Sequence, residues 1–571
     1  MIIRTEPDEP EAVSMTWKYA LVLSHSLTLA SCSGLFRSLS SPRFCTTYNV
    51  ATFVSPLQRK RITLKRRRQL AGKTCICFSL DNTLAQPEGE KLILWRGENT
   101  EGYSMELRHV EFTHALSAVL GSYKAVTNVS IIDDLESSSI TFTNALTHSD
   151  YNNFTINING TDSRSNYHLQ AFQGAMQYVH IQGNDHKLLP MTLPRICLQD
   201  VTHRSSLIRS SFEIVAVGET YFDIVRNAMN SRLLDDMMIS GNNKSWCVRH
   251  RQLGPSAADP NKAKRYGKRI KSSLSLEREA VEGMYDLLIH FQGPVQLNNP
   301  DCKLYLFEGL IVAPSTHPNI PKMKVLARKL ADGLETSNLA PKTRICKTNT
   351  PLCPIAAYVM CNIAQIRSGY SVLDLYAGSG AILLAATRLA TLNTSYNSHA
   401  ESNQDIKTVG IDIAHEGLIN REDLLHDFIT RNLRLPLRLI QGDSSSYSIR
   451  QEARDAIHGS FDAIIVDPPY GIRESLQSSS ELLSREEQQS PITQLVSWIA
   501  HDREYGQPLL KKGGRLIAFV PVLGEYTLDE RSSYLPEQNL LQRAGLKLIV
   551  LKEQVLNDVL SRWLVAYECI A

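Results

Sequence analysis

The residues best suited to chemistry stand in succession after a short apolar run: Asp467, Pro468, Pro469 and Tyr470. The run over 461–466 predicts a buried strand, which must end there because proline cannot continue a central strand. Since prolines supply no N–H donors, the Asp467 carboxylate and the Pro468 carbonyl remain as acceptors at the strand end. Acceptors favour a donor ligand, such as the exocyclic –NH2 group of a nucleic-acid base, and Tyr470 offers a face for stacking. These four residues form the predicted catalytic site.

A strand–turn–helix segment upstream is typical of nucleoside binding. A strand is predicted over 372–376, followed by two glycines and a helix predicted over 381–389. Such glycines let the backbone approach a ligand at the carboxyl end of a strand, where open α/β sheets bind nucleosides. Leu383 stands where a dinucleotide site requires its third glycine. The segment assigns four residues to a cofactor site: Asp374, Tyr376, Gly378 and Gly380.

Two further apolar runs, over 408–413 and 437–440, predict strands with acidic residues at their ends. Asp412, with Ile413 beside it, is placed to accept hydrogen bonds from both hydroxyls of a ribose. Asp443 follows the next strand and is placed to accept a hydrogen bond from an adenine amino group. Any one of these acids alone could be a helix cap or a turn residue. Acids after three successive apolar runs favour one shared nucleoside site.

The composition sets limits on the class of protein. The chain has 571 residues, which indicates two or three domains. Hydrophobic residues make up 43% and charged residues 21%, which excludes wholesale disorder and a multi-span membrane protein. A net charge of +3 is too small to predict nucleic-acid binding, because phosphate contacts need clustered Lys and Arg. The 11 cysteines contain no C-x-x-C pair, so we expect no metal site and a reducing compartment.

Residues 1–72 are predicted to be a leader, either disordered or targeting. Its basic residues over 59–68 are most typical of a solvated tail, with a nuclear signal or a phosphate contact as alternatives. We expect a cytoplasmic protein. If translation began at Met15, the Ser- and Arg-bearing stretch over 35–43 would be typical of an organelle leader, so an organelle is the alternative location.

A small α+β unit is predicted over 73–200. It contains a strand over 92–95 and a helix through 110–120, followed by a polar insertion over about 137–162 without strand or helix periodicity.

A second α+β unit is predicted over 201–335, with three candidate strands over 212–217, 285–291 and 304–308. Lys and Arg residues over 262–271 crowd around Tyr266, where a phosphate-binding patch and a solvated loop are equal alternatives. Residues 336–571 form the predicted catalytic domain, so the fold class is α/β.

The D-P-P-Y block resembles class I amino-methyltransferases, which act on exocyclic amines of adenine, cytosine or guanine. Three segments narrow this resemblance: DPPYGIRE at 467–474, NPDCKLYLFE at 299–308, and the Thr-Pro-Leu run at 350–352. Together they resemble the catalytic subunit of the tRNA guanine-10 N2-methyltransferases of eukaryotes and archaea. The resemblance extends from about residue 73 to the C-terminus.

The resemblance implies S-adenosylmethionine as the methyl donor and the N2 of a tRNA guanosine as the acceptor. Because the sulfonium of this donor needs no metal, we expect no catalytic metal. It implies a Rossmann-like methyltransferase domain over 336–571. A ferredoxin-like unit over 73–200 and an RNA-binding THUMP-like unit over 201–335 would precede it. It also implies a small zinc-binding activator subunit as a partner, besides tRNA, and no membrane.

Two other functions stay open at this point. A DNA adenine-N6 or cytosine-N4 methyltransferase would use the same acceptors on a flipped base. A non-catalytic RNA-binding homologue would be expected to have lost acidic positions, whereas all four are present: Asp374, Asp412, Asp443 and Asp467. Whether Asp467 takes the proton or only orients the amine is also left open.

Overall fold

A computed structural model describes residues 89–97, 100, 102–124, 139–144, 176–182, 193–239, 241, 243–252, 273–308, 323–348, 351–392, 405–414, 420–469, 490–523, 534–556 and 560–571. The chain divides into two units, Met1–Ile76 and Cys77–Ala571, and the described residues all lie in the second. The predicted leader, the basic cluster over 262–271 and Tyr470 lie outside the described residues.

The N-terminal half contains a seven-stranded sheet in the order β2-β3-β1-β4-β7-β6-β5. Neighbouring strands are antiparallel except β5 and β6, which are parallel. The strands are β1 (Lys91–Trp95), β2 (Ser139–Asn144), β3 (Met176–Gln182), β4 (Ile208–Gly218), β5 (Trp246–Gln252), β6 (Cys302–Glu308) and β7 (Lys324–Asp332). The helices of this half are α1 (Met105–Lys124), α2 (Arg195–Arg204), α3 (Tyr221–Ser231), α4 (Asp235–Met238), α5 (Ser273–Gly283) and α6 (Tyr285–Leu288).

This sheet does not separate at the predicted boundary between residues 200 and 201. The boundary falls inside α2, and β1 pairs with β3 on one side and with β4 on the other. Since backbone hydrogen bonds run across all seven strands, the two predicted α+β units share one sheet. Their identities as ferredoxin-like and THUMP-like units stay predictions.

Two local predictions in this half are wrong. Residues 285–291 are not a strand but begin with α6. Together with the preceding Met284, the buried residues Leu287, Leu288 and Phe291 recur at helical spacing. This spacing favours a helix, although the run is apolar enough for a strand. The polar insertion over 137–162 contains β2, which pairs along its whole length with β3. The strands predicted over 92–95, 212–217 and 304–308 are confirmed.

The C-terminal half contains a second seven-stranded sheet, in the order β10-β9-β8-β11-β12-β14-β13. The first five strands are parallel to one another, and β14 and β13 are antiparallel. The strands are β8 (Ser371–Asp374), β9 (Lys407–Asp412), β10 (Arg438–Gln441), β11 (Phe461–Val466), β12 (Leu510–Leu523), β13 (Leu546–Val555) and β14 (Leu560–Cys569). The helices are α7 (Pro354–Ile363), α8 (Ala381–Ala390), α9 (Arg421–Ile429), α10 (Tyr447–Ile457), α11 (Pro491–Glu504) and α12 (Gln538–Ala544).

The strand order reverses direction at β8, since β9 and β10 lie on one side of it and β11 and β12 on the other. Alternate strand residues face two separate cores: Ala463 and Ile465 belong to one, Ile464 and Val466 to the other. This arrangement confirms the predicted α/β, Rossmann-like fold of the C-terminal half. It also creates the switch point at which open α/β sheets bind ligands.

Elements of the N-terminal half cover one face of this second sheet. The core that contains Ile465 also contains Leu116 of α1, Val201 of α2 and Val359 of α7, so one hydrophobic cluster crosses the predicted boundary at residue 335. Since burial of apolar surface is the main stabilising contribution to a fold, the catalytic sheet depends on residues before 335.

A buried carboxylate strengthens the same junction. Glu111 of α1 accepts hydrogen bonds from the Ser205 hydroxyl at 2.6 Å, the Ser206 amide at 2.9 Å and the Asn362 side-chain amide at 2.9 Å. These donors come from the end of α2 and from α7. A buried charge is tolerated when it is fully hydrogen-bonded, so this network fixes three helices in one arrangement. Among the described residues, no helix is long and apolar enough to cross a membrane.

Candidate active site

The carboxyl ends of β8, β9 and β11 bring three of the predicted acids to one edge of the second sheet. Asp374 ends β8, Asp412 ends β9 and Asp467 follows β11. Burial raises the pKa of Asp374 well above its usual value, and the nearby carboxylates of Asp412 and Asp467 raise it further. The Asp374 carboxyl group therefore lies within electrostatic range of the other two, as expected for a common site at the switch point.

The turn after β8 depends on its two glycines. Gly380 has φ +73° and precedes α8, and a Cβ at this position would lie 2.5 Å from a methyl group of Leu424. Gly378 has φ +49°, but a Cβ there would meet nothing closer than 3.9 Å. Gly380 is thus required by packing, whereas Gly378 leaves open space above the backbone where a ligand can approach.

Asp412 joins the ends of β8 and β9. One carboxylate oxygen accepts a hydrogen bond from the Gly378 amide at 2.6 Å, and the other accepts one from the Ala414 amide at 2.8 Å. Each carboxylate oxygen has further acceptor capacity, because an ionised carboxylate accepts about four hydrogen bonds in total. The glycine turn and the carboxylate are thus held together in position for a ribose.

A cleft of about 320 Å³, including its open mouth, lies at this edge. It is lined by Ala377, Gly378, Gly410, Asp412, Ala414, Arg421, Leu424, Leu439 and Ile440. This lining combines an acid that fits ribose hydroxyls with apolar side chains that fit the face of an adenine ring. The lining residues therefore suit an adenosine group such as that of S-adenosylmethionine.

Only two of the predicted cofactor residues, Gly378 and Asp412, line this cleft. Asp374 is buried, and it accepts a hydrogen bond from the Tyr376 amide at 3.1 Å, so it shapes the turn from beneath. Burial raises the pKa of Tyr376 to about 12, and a hydrogen bond with Ser444 opposes that rise.

The remaining predicted residues lie at the margin. Asp443 is exposed, and its carboxylate accepts a hydrogen bond from the Ser445 amide at 2.8 Å. Ile413 is 55% exposed and, like Asp443, does not line the cleft. Contacts of these two residues with a cofactor stay predictions.

Arg344 positions the glycine turn, and the sequence patterns did not indicate it. Its guanidinium is buried, donates to the Ser379 hydroxyl at 3.2 Å and to the Ser379 carbonyl, and lies 3.4 Å from the Asp427 carboxylate of α9. Because Ser379 lies between the two glycines, Arg344 holds the turn against α9. The residue lies before β8 in an irregular segment, so no periodicity could have revealed it.

Asp467 lies at the other side of β8 from the cleft, beside a second buried arginine. Nη1 of Arg562 is 3.8 Å from a carboxylate oxygen of Asp467, and the Arg562 side chain is only 7% exposed. Pro468 is buried and Pro469 half-buried, consistent with a rigid strand exit, while Tyr470 lies outside the described residues. Arg562 was missed, although an arginine within the apolar run of β14 is an unusual residue for a buried strand.

Comparison with known proteins agrees with this geometry. Residues 341–500 match the family described as RMKL-like, methyltransferase domain, which confirms a methyltransferase domain in the C-terminal half. The chain is 25% identical to tRNA (guanine(10)-N(2))-methyltransferase TRMT11 of Xenopus laevis over 386 residues, which are 64% of this chain and 72% of the relative. It is 26% identical to the TRMT11 protein of Gallus gallus over 307 residues, which are 49% of this chain and 60% of the relative. Among solved structures, it is similar to TrmN from Thermus thermophilus, with 16% identity and a TM-score of 0.32, over 76% of this chain and 100% of the other. The two TRMT11 proteins confirm the predicted resemblance.

Proposed function

We propose that this protein transfers a methyl group from S-adenosylmethionine to the exocyclic N2 of a guanosine in tRNA, at the position 10 named for its relatives. The observation that carries the proposal is the arrangement of two sites on either side of β8. The cleft with Asp412 lies at β9, and the acceptors Asp467 and Pro468 follow β11. The adenosine-bearing methyl donor and the amine that receives the methyl group would therefore meet at the carboxyl end of β8.

The reaction needs geometry more than it needs an acid or a base. S-adenosylmethionine supplies a methyl group already activated as a sulfonium. The lone pair of the guanine N2 is delocalised into the ring, so attack requires the nitrogen to become pyramidal. The Asp467 carboxylate and the Pro468 carbonyl favour that geometry by accepting hydrogen bonds from the amine. Alignment of the reacting atoms supplies about 7–11 kcal/mol in well-oriented systems.

The test is incubation of the full chain with labelled S-adenosylmethionine and separate pools of tRNA, rRNA and DNA. We expect label only in tRNA, recovered as N2-methylguanosine after nucleoside analysis. Replacing guanosine 10 by inosine, which lacks the 2-amino group, should abolish incorporation. Methylated adenine or cytosine in DNA, or unchanged methylation of the inosine-substituted tRNA, would contradict the proposal.

We also propose that residues 73–335 hold the tRNA, largely through phosphate contacts. Support comes from the Lys and Arg residues over 262–271 and from the resemblance to an RNA-binding THUMP unit. Replacing these basic residues by alanine should weaken tRNA binding at low salt. It should also reduce the slope of log K against log salt by about 0.7–0.9 for each phosphate that the variant no longer neutralises. An unchanged slope would assign the cluster to a solvated loop.

A small zinc-binding activator subunit is a further proposed partner, on the basis of the resemblance. The edge strand β10 and the exposed residues Leu435 and Leu437, which precede it, offer a sheet edge and apolar side chains for docking. Co-expression with such a subunit should yield a stable complex on gel filtration, and Leu437→Glu should weaken it.

The cytoplasm is the proposed site of action, which a fluorescent fusion of the full chain would test.

A further inference from the structure

A buried chain of side chains leads from the segment before α1 to the proposed catalytic carboxylate. Arg562, on β14, lies over the ring of Phe519 with its guanidinium carbon 3.6 Å from the ring centroid. From there its Nη1 reaches across β12 to within 3.8 Å of Asp467. A guanidinium on an aromatic face, shielded from water, is a fixed positive charge.

The guanidinium is held from its other side as well. Its Nε donates a hydrogen bond at 2.8 Å to the side-chain oxygen of Gln554, which lies opposite it on β13. Gln554 in turn forms an isolated backbone bridge with Tyr103. Tyr103 is itself buried, and burial raises the pKa of its phenol.

The contact between the segment and β13 is tight. A Cβ on Gly102 would lie 1.8 Å from the carbonyl oxygen of Val555, so only glycine fits there. This approach places Tyr103 against Gln554, although the two residues are far apart in sequence.

We propose that Arg562 is a positioning residue, which holds the Asp467 carboxylate ionised and directed at the target amine, and that Gln554 fixes its guanidinium. This inference rests on the proposed methyl transfer. It assigns Asp467 to the role of an anionic acceptor that orients the amine, because a carboxylate beside a guanidinium is a weak proton acceptor. The proton leaves to water after the N–C bond forms and the C–S bond breaks.

The charges around Asp467 make pH the informative variable. Arg562 on β14 favours the ionised form of Asp467, whereas the carboxyl group of Asp374 on β8, which lies within electrostatic range of Asp467, disfavours it. An opposite charge at such a distance shifts a pKa by about 1–3 units. Removing the positive charge of Arg562 should therefore move the acid limb of the pH–rate profile to higher pH by that amount.

The experiment compares single-turnover methylation of tRNA between pH 5.5 and 9 for wild type, Arg562→Met and Arg562→Lys. We expect the acid limb of Arg562→Met to lie about 1–3 pH units above that of wild type, so that the rate falls most at the acid end of the range and recovers towards pH 9. Its affinity for S-adenosylmethionine should stay within twofold of wild type. Arg562→Lys keeps the charge and should retain most of the rate and the wild-type acid limb.

The matched control is Arg515→Met. Arg515 also links an N-terminal helix to the second sheet, through His114 at 2.9 Å and the Ile363 carbonyl at 2.7 Å. It pairs with Ala463, however, near the start of β11 and away from Asp467. Loss of stability without a shifted acid limb is expected for this variant.

Several outcomes would overturn the role of Arg562. A folded Arg562→Met enzyme with the wild-type pH profile would do so, as would equal losses in the Met and Lys variants. If Arg562→Met does not fold, Gln554→Met frees the guanidinium without removing its charge, and an unchanged rate of methyl transfer in that variant also overturns the role. A wild-type enzyme that does not methylate tRNA guanosine would instead reject the proposed function, so the two failures are distinguishable.

Discussion

The two sides of β8 are constructed in different ways. On the β9 side, Asp412 is held by amides of Gly378 and Ala414, which are the backbone of the adjoining strand ends. On the β11 side, Asp467 faces Arg562, a side chain from two strands away that is itself held by Gln554. The first side needs only local backbone geometry, whereas the second depends on packing across β12, β14 and β13 and on the segment of the N-terminal half that contacts β13.

The largest effect should come from the β11 side. Asp467→Ala should lower the rate of methyl transfer at least a hundredfold, because a misplacement of about 1 Å is enough to cause such a loss. Affinity for S-adenosylmethionine should be nearly unchanged, since Asp467 does not line the cleft. Single-turnover kinetics and calorimetry measure the two quantities separately.

Asp467→Asn should also be severely impaired, because its amide donors would face the N–H groups of the target amine. Near-normal turnover of either variant would remove Asp467 from the mechanism.

On the β9 side, we expect a substitution to lower the affinity for the cofactor more than the rate of methyl transfer. Asp412→Ala should weaken S-adenosylmethionine binding by about 1.5–3 kcal/mol for each charge-assisted hydrogen bond removed, with a smaller effect on the rate at saturation.

The matched control is Asp462→Ala at the opposite end of β11. That carboxylate accepts hydrogen bonds from the Ser371 amide and hydroxyl, both at 2.7 Å, and lies outside the cleft. This variant should lose stability but keep the affinity for the cofactor. Unchanged calorimetric affinity of Asp412→Ala, or equal losses in the two variants, would exclude Asp412 from the cofactor site.

The difference between the two sides explains what could be predicted from the sequence. Asp412 ends β9, Asp467 directly follows β11 and Gly378 lies in the turn after β8, so their meeting at one edge follows from the strand pattern alone. Arg344 and Arg562 were missed because their partners lie far away in sequence, and only the folded chain brings them together.

The N-terminal half gives the same lesson. The strands over 92–95 and 304–308 follow their apolar patterns, but the wrong strand at 285–291 shows that a short apolar run does not distinguish a strand from a helix. The shared sheet could not be predicted either, because β1 finds its partners β3 and β4 through long-range pairing.

We expect smaller effects when either glycine of the turn, Gly378 or Gly380, is replaced by alanine, and the two variants should differ in which property they lose. Both have positive φ, so alanine at either position should cost about 1–2 kcal/mol of backbone strain. Gly380→Ala should lose more stability, because its methyl group also collides with Leu424. Gly378→Ala should instead lose affinity for S-adenosylmethionine, because its methyl group enters the open space of the cleft. Thermal unfolding and calorimetry on both variants test this, and a larger stability loss in Gly378→Ala would contradict it.

The smallest effect is expected at Asp443, the one predicted acid that is exposed and outside the cleft lining. If it accepts a hydrogen bond from the adenine amino group, Asp443→Ala should weaken S-adenosylmethionine binding by about 0.5–1.5 kcal/mol, because a solvent-exposed hydrogen bond contributes little net free energy. Asp455→Ala, which removes an exposed acid of α10 that is hydrogen-bonded to Gln451 at 2.7 Å, controls for the change in surface charge.

The sharper comparison is with a cofactor analogue whose adenine amino group is replaced by hydrogen. Wild type should lose affinity for this analogue, whereas Asp443→Ala should bind it and S-adenosylmethionine almost equally. If the variant still discriminates between the two ligands as wild type does, Asp443 only caps the turn at Ser445, and the cofactor side of the site rests on Asp412 and the backbone around it.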